Sequence, residues 1–163
     1  MKIGTAIEHL AAAERELADE LVKVGAKHKT DHDVFHVTKT LAKIENDHLD
    51  ALAPHAERYG AKLKGGSNGD AGPPHLVQSV IEKGSELIGR RPEPGILLLR
   101  DLRRLHMHAA GVSVDWVALG QAAQAAKDEK LLETVTACHS QTLRTLKWTN
   151  YRLKEAAPQV LTS

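Results

Sequence analysis

"GAKLKGGSNGDAGPP", residues 60–74, divides the 163-residue chain into two halves that read alike. Glycine, proline, serine and asparagine crowd this stretch, and a segment so rich in turn formers reads as loop. On each side of it lie two long segments with the 3–4 spacing of amphipathic helices. The connection inside each half is short, whereas the one between the halves is long. The stretch therefore decides between a simple up-and-down bundle and two hairpins joined by a crossover.

Working outward, helix one is expected over about 3–26. Ile3, Ile7, Leu10, Leu17, Leu21 and Val24 form its apolar stripe, and the series demands a core residue where Glu14 stands. Gly25 and "KHKTDHD" then punctuate the chain, with Thr30 or Asp31 as N-cap. Helix two is expected over about 31–59, striped by Val34, Val37, Leu41, Ile44 and Leu52. His48 and His55 face inward in that register and Glu45 lies at the flank. Pro54 is a candidate kink.

The crossover, 60–94, contains a short helix over about 75–88 that ends at "GRRPEPG". Helix three follows over about 95–126, with Leu98, Leu102, Leu105, Ala109, Val112, Trp116 and Leu119 on its stripe. Asp101, His108 and Asp115 stack along one edge of that helix. A tight turn at Lys127 and Asp128 leads to helix four, about 128–156. Its expected stripe is Leu132, Val135, Leu146 and Leu153, with His139 and Thr142 at core positions. The fold class is all-α: one four-helix-bundle domain over residues 1–163 with an extra short helix in the crossover.

Composition agrees. Aromatic residues make up 3% and charged residues 26%, with a formal net charge of +1. Such a balance favours aliphatic helix packing over a sandwich or barrel and gives no argument for nucleic acid. No apolar run spans a bilayer. The start, "MKIGTAIEHLAAAERELADE", lacks a secretory pattern, so a cytoplasmic protein is expected. A lone cysteine, Cys138, excludes an internal disulfide framework. No glycine-rich phosphate loop, nucleophile elbow or paired-cysteine motif is present. Arg90, Arg91, Arg100, Arg103 and Arg104 form a basic cluster without aromatic interleaving, read as a solvated or partner-facing side.

Chemistry enters through "IENDHL", residues 44–49, where Glu45 and His48 share one helix face at i, i+3. Glu14, His48 and His139 occupy positions where the pattern asks for aliphatic side chains, and buried polar groups are costly without partners. At ~1.5 Å rise per residue, Glu14, Glu45, His48, Asp115 and His139 fall within a band of roughly 10 Å. Ten histidines are present. His28, His32 and His36 follow at i, i+4 spacing, and the surrounding Thr30, Asp31 and Asp33 make a solvated helix start the expected reading.

With two hairpins, a long crossover and this Glu/Glu-x-x-His set, the chain resembles the ferritin-like superfamily, whose di-iron members include ferritins, bacterioferritins and rubrerythrins. The resemblance implies Glu14 as the first-helix ligand, Glu45 and His48 as the first motif and His139 as the histidine of the second. Thr136 stands where that second motif carries glutamate, and helix three offers Asp115, or His108, in place of glutamate. One metal ion (iron, manganese or zinc) held by Glu14, Glu45, His48, Asp115 and His139 is the resulting expectation, in a protein expected to form homo-oligomers without nucleic-acid or membrane partners. The alternative is a metal-free ferritin-like bundle acting as an oligomeric structural or interaction module. A third reading, a three-histidine site as in DinB-like thiol-transferases, requires His48 to meet His108 and His139.

Overall fold

A computed structural model describes residues 2–63 and 93–163 of the chain. Four α-helices hold the described residues: α1 (Lys2–Lys27), α2 (His32–Arg58), α3 (Pro94–Ala125) and α4 (Glu129–Leu161). There is no strand among them. The short helix expected over 75–88 lies outside the described residues.

The caps show why the hairpins turn where they do. Asp31 accepts a hydrogen bond from the Val34 N–H (3.1 Å) and so starts α2. Asp128 does the same for Leu131 (3.2 Å) at the start of α4. Just before it, Lys127 takes a left-handed backbone (φ 55°) that reverses the chain. Proline at the first turn of α3 gives up no helical hydrogen bond. Pro54 does not end α2, which runs on to Arg58.

Each helix packs on two others: α1 on α2 and α3, and α4 on α2 and α3. The helix pairs α1/α4 and α2/α3 are therefore diagonal. Lys27 and His28 meet Asp101 near the start of α3, while Tyr59 at the end of α2 meets Asp128. Hence α2 ends at one end of the bundle and α3 begins at the other. All four lateral pairs run antiparallel.

The core is aliphatic and closely filled, with Ile7, Leu10, Leu17, Leu21, Leu52, Leu102, Leu105, Leu119 and Leu131 essentially excluded from solvent. Burying each such side chain is worth about 1.5–3 kcal/mol. Two stripes differ from the sequence reading. In α2 the inward positions are Val34, Thr38, Leu41, Glu45, His48 and Leu52, so Val37 and Ile44 sit at the flank and Glu45 is fully buried. In α4 they are Leu131, Val135, Cys138, Thr142, Thr145 and Thr149, leaving Leu132, Leu146 and Leu153 half-exposed at the edges. Val34, Leu41, Leu52, Val135 and Thr142 are inward as expected, and the other positions differ where a polar or small residue faces in, because apolar periodicity registers only apolar residues. No helix among the described residues is long and apolar enough to cross a membrane.

Candidate metal centre

Halfway along the bundle the aliphatic core is interrupted by Glu14 from α1 and Glu45 and His48 from α2. All three are buried, the carboxylates completely. One ligand atom from each lies within 4.8 Å of the others. The helical i, i+3 relation brings Glu45 and His48 to one side of α2, and the α1–α2 packing sets Glu14 opposite them. His48 Nδ1 stands 3.1 Å from Glu14 Oε1 and 3.2 Å from Glu45 Oε2.

One atom of every member of the trio is held by a residue of the second hairpin. Trp116 Nε1 donates to Glu14 Oε1 (2.5 Å). Thr145 Oγ1 donates to Glu45 Oε1 (2.9 Å). The His48 Nε2–H donates to the Gln141 amide oxygen (2.8 Å), which can only accept. Trp116 also sets its ring edge-on to His48, with centroids 5.7 Å apart. Glu14 Oε2 and Glu45 Oε2 remain buried without a geometrically complete hydrogen bond among the described residues, and His48 Nδ1 stands 3.2 Å from the latter. Two buried carboxylates with an unpartnered oxygen each and one imidazole thus come together, and each of the three residues is also held by a hydrogen bond from or to the second hairpin. That is the pattern by which outer partners orient metal ligands.

The electrostatics follow from burial and proximity. Burial pushes the Glu14 carboxyl up to about 8, and the neighbouring Glu45 adds to the rise. Burial opposes charge on Glu45 as well, but hydrogen bonds and the charge of His48 outweigh it, so its net direction is down. His48 would be lowered by burial, yet the hydrogen bonds and charges of both carboxylates raise it to about 10. Near neutral pH a charged His48 is balanced by Glu45, while Glu14 keeps its proton.

Asp115 and His139 do not join this cluster, contrary to the expectation from sequence. Trp116 takes the inward direction on α3, which turns the adjacent Asp115 towards α1, where it meets His9 Nε2 at 3.6 Å. Cys138 takes the inward direction on α4, and His139 instead accepts or shares a proton with Ser113 Oγ (2.9 Å) at the α3–α4 seam. Burial lowers His139. A three-histidine site does not form either, because His108 is bound to Glu20 (2.8 Å). His28, expected in a solvated trio, is drawn to Asp101 (2.9 Å), leaving His32 and His36 exposed side by side. Cys138 packs as a small apolar group, its thiol pushed up to about 12 by burial.

The sequence reading did not single out Gln141 or Thr145, and it took Trp116 for plain core. One signal was present for Trp116: a buried indole needs an acceptor for its N–H, and Glu14 is the buried acceptor. Nothing in sequence distinguishes Thr145 from other inward threonines. Comparison with protein-family models, with curated proteins and with solved structures found no match to this chain.

Proposed function

We propose that this chain is a ferritin-like bundle that binds one divalent metal ion through Glu14, Glu45 and His48. The observation that carries the reading is the pair of buried, unpartnered oxygens, Glu14 Oε2 and Glu45 Oε2, on two residues that bring one ligand atom each within 4.8 Å of each other and of His48. An ion holding tetrahedral ligands at ~2.1 Å keeps them roughly 3.4 Å apart, inside the 4.8 Å that encloses the three ligand atoms here. Binding would displace the protons held on Glu14 and His48, and the two carboxylates and neutral imidazole left behind carry two negative charges, which one divalent ion cancels. A second ion would need carboxylates from the other hairpin, and there Trp116, Gln141 and Thr145 are neutral. The mixed oxygen and nitrogen donors suit iron, manganese or zinc. The antiparallel neighbours and the opposite placement of the end of α2 and the start of α3 support the ferritin-like topology.

The test is elemental analysis of protein purified without a histidine tag, followed by titration of the stripped protein with Mn²⁺, Zn²⁺ and, anaerobically, Fe²⁺. One ion per chain is expected, lost in Glu45→Gln and His48→Ala. Protein that arrives empty and takes up none of the three ions overturns the proposal.

The second reading is a metal-free bundle serving as a structural or interaction module. The hydrogen bond between His48 Nδ1 and Glu14 favours it, since a proton there satisfies both groups. In that case added metal leaves the melting temperature of the wild-type chain unchanged.

A further inference from the structure

Outside the polar centre, α3 is unusual in carrying apolar residues on the side away from the core. Its buried stripe is Leu102, Leu105, Ala109, Val112, Trp116, Leu119 and Ala123. On the opposite side Met107, Ala110, Gly111, Val114 and Val117 recur at the same 3–4 spacing. From Leu105 to Ala126 the only Asp, Glu, Lys or Arg is Asp115, which faces α1. Leu143 of α4 extends the patch, between the levels fixed by the Ser113–His139 and His106–Thr149 hydrogen bonds. Met107, Val114, Val117 and Leu143 are 47–66% exposed. Scattered exposed apolar residues are ordinary, but an uncharged outer face along α3 marks an interaction surface; on α4 the exposed Lys147, one turn beyond Leu143, adds a positive charge towards the Arg100 and Arg103 end.

The charges at the two ends of this face say what it meets. Arg100 and Arg103 are exposed at the N-terminal end and Glu129 and Glu133 at the other, where they flank Leu132 and Thr136. None of the four has an ionic or hydrogen-bond partner among the described residues. Continuing the α3–α4 register places Glu133 roughly beside position 119 of α3 and Glu129 roughly beside 123. Arg103 and Glu133 are then about equally distant from Gly111, at about 12 Å, and Arg100 and Glu129 at about 17 Å. A face that is basic at one end, acidic at the other and apolar between is complementary to itself when turned over.

We infer that the outer face of the α3–α4 hairpin joins two copies of this chain, α3 antiparallel to α3, about a two-fold axis near Gly111. Arg103 of each copy then meets Glu133 of the other, and Arg100 meets Glu129. Met107 of each copy covers Val114 of the other, and Ala110 and Gly111 let the two α3 axes approach closely. The face is about 30 Å long and two helices wide, roughly 600 Å² per copy, near the size of a specific interface.

Sedimentation equilibrium of the full chain tests this. The wild type is expected at twice the chain mass in the micromolar range. Val114→Asp, at an exposed position that leaves the core untouched, should raise the dissociation constant at least tenfold while circular dichroism and the melting curve stay native. Arg103→Glu should weaken the dimer similarly, and Arg103→Glu combined with Glu133→Arg should restore it. A wild-type monomer at 50 μM, which is also the result if another part of the chain covers this face, overturns the inference. A dimer indifferent to Val114→Asp overturns the face, and failure of the double reversal to restore association overturns the antiparallel register.

Discussion

At Glu14 a carboxyl group has lost contact with water beside Glu45, and these two effects outweigh its hydrogen bond with the imidazole, so its proton is retained near neutral pH, with a pKa of about 8. Glu45, a few ångströms away, is the member that keeps its charge. The two acids should therefore respond differently to the same substitution. Glu14→Gln preserves a neutral acceptor for Trp116 and His48 and should cost about 1 kcal/mol. Glu45→Gln removes the charge that balances His48 and should cost about 3 kcal/mol, while His48→Ala strands a buried carboxylate at about 3–5 kcal/mol. Urea denaturation in the presence of a chelator measures all three at pH 7. Equal costs for the two glutamines would contradict the division of charge. Glu14 and His48 were legible in sequence because each interrupts an apolar stripe. Glu45 was recognised through its spacing from His48, although its burial was missed.

Among the elements, the α1–α2 contact near the first turn depends on the absence of a side chain at Gly25. A Cβ there would collide with the Thr38 hydroxyl, which is itself buried and donates to the Val34 carbonyl (2.7 Å). Gly25→Ala gains helix propensity of at most about 1 kcal/mol, but overpacking of this kind costs about 1–3 kcal/mol. A net loss is expected, and in Thr38→Ala the same glycine substitution should become neutral or stabilising. A thermal double-mutant cycle reads the coupling, and additive effects would show that the helices do not touch there. The sequence marked Gly25 as punctuation only. That it is a contact follows from which face of α2 is inward: Val34, Leu41, His48 and Leu52 agree with the apolar pattern, but Thr38 and Glu45, being polar, stand where the pattern points to Val37 and Ile44. In α4 the inward Thr142 is an expected core position, whereas Thr145 and Thr149 are not. Thr142 and Thr149 donate to carbonyls of their own helix and Thr145 to Glu45, so each is satisfied in place without an apolar signature.

Over the whole molecule the two hairpins are clasped at both ends by buried aspartates of the second hairpin. Asp128 accepts from Tyr59 Oη (2.7 Å) and pairs with Arg58 (3.0 Å) at one end. At the other end Lys27 Nζ (2.6 Å) and His28 (2.9 Å) converge on Asp101, with Arg104 at 3.5 Å. Burial alone would raise Asp101, but its hydrogen bonds and the cations around it hold it down at about 2, against an ordinary value of 3.8. A carboxylate depressed in the folded state adds stability above its unfolded value and loses it as pH falls through the folded one. The contribution, about 2 kcal/mol, should be complete above pH 4 and fade between pH 4 and pH 2. Asp101→Asn should be less stable than the wild type at pH 6 by about that amount, with the gap closing by pH 2, as followed by denaturant midpoints. A gap independent of pH would remove the ionic account. The sequence by itself determined the four helices, their short and long connections and an all-α class, because these follow from local periodicity, caps and turn formers. It also brought Glu14, Glu45 and His48 forward, because each departs from its pattern or completes a spacing. Only the tertiary structure decided which neighbours close round them. Trp116 and Cys138 took the inward directions that Asp115 and His139 were expected to use, and a helix has one inward direction at each level. Which side chain fills it is settled by packing across the bundle, which no single helix encodes.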